Sequence, residues 1–260
     1  MRRMTTMRSK LKFILFKRTP LFLAVSATLL LTTCKKDHLM DCITSSGEDI
    51  SEFRPVAWFS RVDMKDHVDL VIHQSSTPYI RVTAGSHLID GIITELSNGT
   101  LYIRNENRCN WVRSFKNKYT VEIGIDSLQS VATYGNGDVR CADTLTAYDF
   151  TFDSWNASGS MDLLLKCQRS HLNNNTGRID MRVAGIVGVS YIAFNDVGIL
   201  DAGKMITDIT FMRNNSTGDI KVCAIHELEV EIRYTGNIYY TGNPYRVKED
   251  NTGTGKLIPF

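Results

Sequence analysis

The sequence predicts an all-β protein: a right-handed β-helix or β-roll-like solenoid of short strands, with a β-meander as its N-terminal part. Three observations predict it. Glycines recur at Gly137, Gly159, Gly177, Gly198, Gly218 and Gly236, with spacings of 22, 18, 21, 20 and 18 residues, and each opens a short alternating segment. Apolar side chains repeat at two fixed offsets from them. Val139, Met161, Ile179, Leu200, Ile220 and Ile238 stand two residues on, and Cys141, Leu163, Met181, Ala202, Val222 and Tyr240 stand four on. Side chains alternate faces along a strand, so the two sets share one face. No helical periodicity with caps follows residue 50. A period near 20 with short strands and polar turns is the pattern of a solenoid whose rungs stack about 4.8 Å apart.

The first segment, residues 1–33, reads as a lipoprotein signal peptide. Arg2, Arg3, Arg8, Lys10, Lys12, Lys17 and Arg18 form a basic region without an acid, and the apolar run "PLFLAVSATLLLTT" follows. That run is shorter than the roughly 20 residues that span a bilayer and ends in small residues, which fits a secretory leader better than a membrane helix. Leu31-Thr32-Thr33-Cys34 resembles a bacterial lipobox, in which Cys34 is acylated and becomes the new N-terminus. Ordinary cleavage beside an incidental cysteine is the alternative. Residues 34–52 then form a lipid-bearing linker. Lys35-Lys36-Asp37 partly matches the surface-export signal of Bacteroidetes-type outer-membrane lipoproteins, so the expected location is the outer membrane, facing the surface or the periplasm.

Removing the leader reverses the charge argument. The chain carries a formal +2, and subtracting the seven basic groups of residues 1–33 leaves −5 on the mature part. A nucleic-acid footprint needs a clustered basic face, and the mature sequence has none.

Residues 53–128 form the N-terminal β part. "FSRVDMKDHVDLVIHQ", "PYIRVTAG", "TLYIRNEN" and "KYTVEIGI" alternate strongly, whereas "HLIDGIITEL" (87–96) suits either a short helix or a strand. The alternating opener is expected to begin the same stack with longer insertions. Residues 129–245 are the repeats. Between the glycine-led strands lie "LTAYDFTF", "VGVSYIAF", "ITDITFM" and "ELEVEIRY", rich in β-branched and aromatic residues. Asn173-Asn174-Asn175 and Asn214-Asn215 suit left-handed turn positions. "TGNIYYTGNP" reads as the last good rung, with Pro244 ending regular pairing and residues 246–260 as a tail or closing strand.

Six cysteines become five once Cys34 is lipidated. Cys42 and Cys109 sit in polar stretches, and a bridge between them would stabilise by about 4 kcal/mol on the chain-entropy picture. Cys141, Cys167 and Cys223 read as small buried hydrophobes. No cysteine or histidine spacing matches a metal site, and no metal or cofactor is expected.

Laid side by side, the opener "FSRVDMKDHVDLVIHQ", the block "GTLYIRNENRCNWVRSFK", the Gly-(Asp/Asn)-(Ile/Val) triplets and the ending "GNIYYTGNP" resemble the auto-transporter adhesin family with a head GIN domain, from about Phe53 to Phe260. The resemblance implies an exported β-helical or β-roll-like domain on a lipid anchor and brings no catalytic residue. Adhesion is what the family name implies.

Chemistry is sparse. "YGNGDVR" departs from a dinucleotide fingerprint at Arg140, and neither GxSxG nor HExxH occurs. The histidines stand singly. Asp162, Asp180 and Asp201 each follow a glycine by three residues, so in register they stack outward as a calcium site or an acid pair. Their alternative is a solvated face relieved by Arg140, Arg178, Arg182 and Lys221. Trp111, Trp155 and Tyr239 are candidates for stacking on sugars, against the alternative of ordinary packing. Three classes follow: a non-catalytic adhesion module for a glycan or surface protein, a structural subunit of the outer membrane, and a glycan-active enzyme. The first is preferred, because catalytic motifs are missing.

Overall fold

The structure, a computed structural model, describes residues 45–107 and 118–260. In chain order the strands are β1 (Asp49–Arg54), β2 (Arg61–Asp66), β3 (Asp69–Gln74), β4 (Tyr79–Gly85), β5 (Ile92–Ser97), β6 (Thr100–Asn105), β7 (Thr120–Ile125), β8 (Ser130–Gly135) and β9 (Val139–Cys141). The repeats supply β10 (Leu145–Ser154), β11 (Ser160–Asn174), β12 (Asp180–Phe194), β13 (Leu200–Asn214), β14 (Ile220–Ile232), β15 (Ile238–Thr241), β16 (Arg246–Asn251) and β17 (Leu257–Pro259). All seventeen join one coiled sheet. Residues 87–96 turn out to be both alternatives in succession, a single 3₁₀ turn over Ile89–Gly91 followed by β5.

From β8 onward each strand pairs in parallel with its counterpart one rung later, so the repeats form a solenoid. Its innermost column runs Val139, Met161, Met181, Leu200, Ile220, Ile238. Each of these is 1% exposed or less. The column corrects one register expectation. Met181, not Ile179, stands level with Met161, because Gly177 lies opposite Ala157 and belongs to the preceding turn. Ile179 takes the glycine place between Gly159 and Gly198, and its side chain also points into the core. Counting Gly159, Ile179, Gly198 as the marker gives spacings of 20 and 19 in place of 18 and 21. Evenness of period is the signal that distinguishes the two registers.

The Gly-(Asp/Asn)-(Ile/Val) triplet now has a physical account in three parts. The glycine lies against the previous rung: a Cβ at Gly218 would collide with the carbonyl oxygen of Gly198, and one at Gly137 with that of Val68. The acidic or amide residue ties rungs together. Asp138 accepts the Ser160 N–H at 2.8 Å, Asp219 the Asn237 N–H at 3.1 Å, and Asn237 the Lys256 N–H at 3.0 Å. The apolar residue fills the core.

The asparagines of "NNN" and "NN" do not sit in left-handed turns; among non-glycine residues positive φ occurs at Asp66, Asn98, Asn156 and Asn243. Asn174 and Asn214 instead point inward at the corner, fully buried. Asn214 Nδ2 donates to the Gly236 carbonyl at 3.0 Å, and its Oδ1 accepts from Ser216 N and Oγ. Buried turn carbonyls need partners, and these side chains supply them.

The N-terminal part joins the same stack out of sequence order. β2 pairs in parallel with both β6 and β8, and β3 with both β7 and β9. The rung built first in the chain is therefore wedged between two later ones. Antiparallel pairs β1–β4, β4–β7 and β5–β6 extend the sheet beyond it. At the other end one more rung follows the stretch expected to be last. β16 pairs with β14 and β17 with β15, and Gly255-Lys256-Leu257 takes the triplet's place, with Lys256 for its acid or amide. This rung is charged where the others are apolar. Glu249 continues the column of Leu172, Ile192, Met212 and Val230, and all of β16 is exposed. A charge in an inward column stops further stacking.

Candidate functional site

Inside the stack every position is a packing position, so recognition has to come from the outer columns. The expected acidic ladder is the first of these, and the register changes it. Asp162 lies level with Arg140 and Arg182, and Asp201 with Arg182 and Lys221. The column thus reads Arg140, Asp162, Arg182, Asp201, Lys221, alternating in sign. Asp180 stands two residues away, level with Ser160, and its carboxylate accepts the Ile199 N–H at 3.3 Å. Like charges directly opposite destabilise a sheet, whereas opposite ones contribute roughly 0.2–1 kcal/mol. Arg182→Asp would restore three acids in a row and should lower the melting temperature, with added salt recovering part of the loss. In the unmodified chain, calcium or chelator should leave the melting temperature where it was.

The aromatic candidates separate. Trp155 follows β10 at a corner and is half exposed. Tyr239 lies on the face of the alternating charge column, level with Lys221, its ring edge-on to Phe260 at 6.2 Å. They share neither a strand nor a pocket. Trp111 lies outside the described residues, as do Cys34, Cys42 and Cys109.

Two features of the outer surface had no motif to announce them. The first is a ring ladder along β11, β12 and β13. His171, Tyr191 and Phe211 stand level, with centroids 4.9 and 5.2 Å apart and planes within 9° and 13°. Beside it, Ala193 leaves a shallow hollow near Arg213 and Glu231. The hydrogen bond from Arg213 holds the Glu231 carboxyl below its usual value. Rings stacked this way cover one another's faces and offer mainly edges outward.

The second is a groove of about 500 Å³ crossing β10 to β14. Along its floor Thr146, Lys166, Ile186 and Ile206 stand level, with Ile186 64% exposed and Ile206 partly so, and Ile225 of β14 lies beside them out of register. The neighbouring outer column holds Gln168, Gly188 and Asp208, one per rung. Gly188 has no side chain, and the Gln168 amide lies across it, its Nε2 2.8 Å from where a Cβ would stand. On the far side Asp208 is fixed by His226 Nδ1 at 2.6 Å. Two rings flank the groove. Tyr148, 72% exposed, lies opposite Gln168 and carries the Arg169 guanidinium on one face at 5.5 Å. Tyr245, 86% exposed, stacks on His226 at 5.5 Å. The exposures matter, because each ring keeps a face open to solvent.

His73, expected to stand alone, lies 3.6 Å from Glu122 and 3.3 Å from Asp143, with Arg81 also on Glu122. Cys141, Cys167 and Cys223 are free thiols. Burial pushes Cys141 and Cys167 up to about 11, so both stay protonated at neutral pH and behave as the small hydrophobes they resemble. Among the described residues no group of three His, Cys, Asp or Glu side chains is placed to hold a metal ion, and no helix is long and apolar enough to cross a membrane.

A family model described as "Putative auto-transporter adhesin, head GIN domain" matches residues 58–244. The chain belongs to this family. The match covers the parallel rungs from β2 to β15 and the whole groove floor. Solved structures carry the same fold at low identity. A "putative adhesin" from Bacteroides fragilis superposes with a TM-score of 0.74 at 20% identity, over 82% of this chain and 97% of that one. A "putative lipid binding protein" from Parabacteroides distasonis gives 0.60 at 17%, over 82% and 98%. A "putative adhesin" from Parabacteroides merdae gives 0.59 at 17%, over 83% and 98%. No curated protein matches the chain.

Proposed function

We propose that this head GIN chain is a non-catalytic binding module of the cell envelope, held at the outer membrane by acylated Cys34 and presenting the outer faces of its solenoid to a glycan or surface protein. One observation carries the reading. Large side chains stand exposed in aligned columns on a rigid stack, around a preformed open groove, where packing does not need them. The family description and the neighbours named as adhesins support it, and the neighbour named as lipid-binding also points to binding. Assembly by end-to-end stacking fits less well, since the β16 side of the last rung carries Arg246, Lys248, Glu249 and Asp250, although its β17 side is apolar. The Cys42–Cys109 bridge belongs to the same proposal, as expected of an exported chain.

The test has two parts. Cys34→Ala should move the protein out of the membrane fraction; retention there would remove the anchor. The mature chain carrying Cys34→Ser, spread over arrays of glycans and matrix proteins, should give specific binders. Binding to neither would contradict the module itself.

A further inference from the structure

The groove over Gly188 has a geometry that selects among ligands, and we infer that it is a subsite for an extended polysaccharide chain lying along the stack. This rests on the binding-module reading and goes one step past it, to the site and the ligand class.

Three observations point there. The groove repeats at the spacing of its strands, about 4.8 Å, which is close to the advance of one pyranose ring in an extended chain. From β10 to β13 it offers three such steps in register, so each sugar there meets a corresponding pair of outer positions, and the register shifts on β14. Next, open ring faces lie at the margins. Arg169 covers one side of Tyr148 and His226 one side of Tyr245, which orients each ring and leaves the other side free. An open ring face is what the C–H side of a sugar stacks on, and aromatic side chains offer it at low entropic cost. Between them, the Gln168 amide laid across Gly188 presents a donor and an acceptor, and Asp208, fixed by His226, presents a carboxylate to hydroxyls.

Other occupants fit less well. An extended peptide adds to a sheet edge through its backbone, whereas this groove lies on a sheet face whose backbone groups are already paired in the ladders. An acyl chain asks for enclosure over most of its surface, and this trough is open along its length. The ring ladder of His171, Tyr191 and Phe211 is the internal contrast, because its ring faces are covered.

The experiment is titration calorimetry of the mature chain carrying Cys34→Ser with cellohexaose, mannohexaose, chitohexaose and oligogalacturonate hexamer. At least one should bind. Tyr148→Ala and Gln168→Ala should each weaken it about tenfold or more, while Tyr191→Ala on the other face leaves it unchanged. Circular dichroism of each variant should match the parent, since these side chains lie outside the core. Binding that ignores Tyr148→Ala and Gln168→Ala would overturn the site, though the module reading would stand. Failure of all four oligosaccharides, with a matrix protein or a fatty acid bound instead, would overturn the ligand class. If arrays and oligosaccharides alike fail, the module reading falls together with the subsite.

Discussion

Gly218→Ala should lower the stability of the domain by about 3 kcal/mol or more, a fall of roughly 6–12 °C in melting temperature for a chain of this size. The single added methyl has no room. It would meet the carbonyl oxygen of Gly198, and the next nearest atoms are also Gly198 backbone, so relief requires moving backbone and not a side chain. Gly203→Ala is the matched control. There a Cβ would find only side-chain atoms at ordinary contact distances, the nearest being Asp201 Oδ1 at 3.4 Å. That variant should be neutral, or slightly more stable through its stiffer unfolded chain. Thermal unfolding followed by circular dichroism reads both. Equal effects at the two glycines would mean that close rung stacking is not why the triplet begins with glycine.

Phe152→Ala should cost about 3–5 kcal/mol, the usual range for emptying a buried aromatic site. Phe152 is fully buried and lies level with Val131 on one side and Leu172 on the other. It therefore sits where the N-terminal rungs meet the repeats, and its cavity is shared by both. Loss there should unfold the two parts together, giving one transition at lower temperature. Two separated transitions would show that the junction is weaker than its packing implies. Tyr245→Ala, which removes an equally large but exposed ring, should stay within about 0.5 kcal/mol.

The sequence made the stack legible because one face of every rung repeats. Apolar residues at two offsets from a glycine are enough to infer stacked parallel strands, and the structure has them, though from β11 to β14 the expected short strands run together into strands of 13–15 residues. Its reading of register failed at one glycine. Gly177 has positive φ, +97°, and serves a turn, whereas the glycine of the triplet is replaced by Ile179 in that rung. A shift of two residues keeps the same face buried, so the core survived the error while the acidic ladder did not. Asn174 and Asn214 were misplaced for a related reason: asparagine suits both a left-handed turn and a buried cap, and composition alone does not choose. The insertion of β2 and β3 between later rungs has no local signature at all, because it depends on pairings between residues far apart in the chain.

The groove was less legible still. Outer columns carry no periodic constraint, so Gln168, Gly188, Asp208 and Tyr148 look like any polar and aromatic residues on a strand. They become a site only once strands of neighbouring rungs are aligned and Gly188 falls between Gln168 and Asp208. Tyr245 comes from beyond β15, and only its stacking on His226 joins it to the set. Alignment between rungs is thus the premise for the charge column and for the groove alike.

A disulfide trap tests that premise directly. Cysteines introduced as Asp162→Cys and Arg182→Cys stand level on adjacent parallel strands, within the Cα separation of about 4.4–6.8 Å that a disulfide spans. Mild oxidation followed by peptide mass analysis should join 162 to 182, and should leave 162 and 180 unjoined in the companion variant Asp162→Cys with Asp180→Cys. A bridge between 162 and 180, with none between 162 and 182, would put the three acids back in one column and take the register, the charge alternation and the groove down with it.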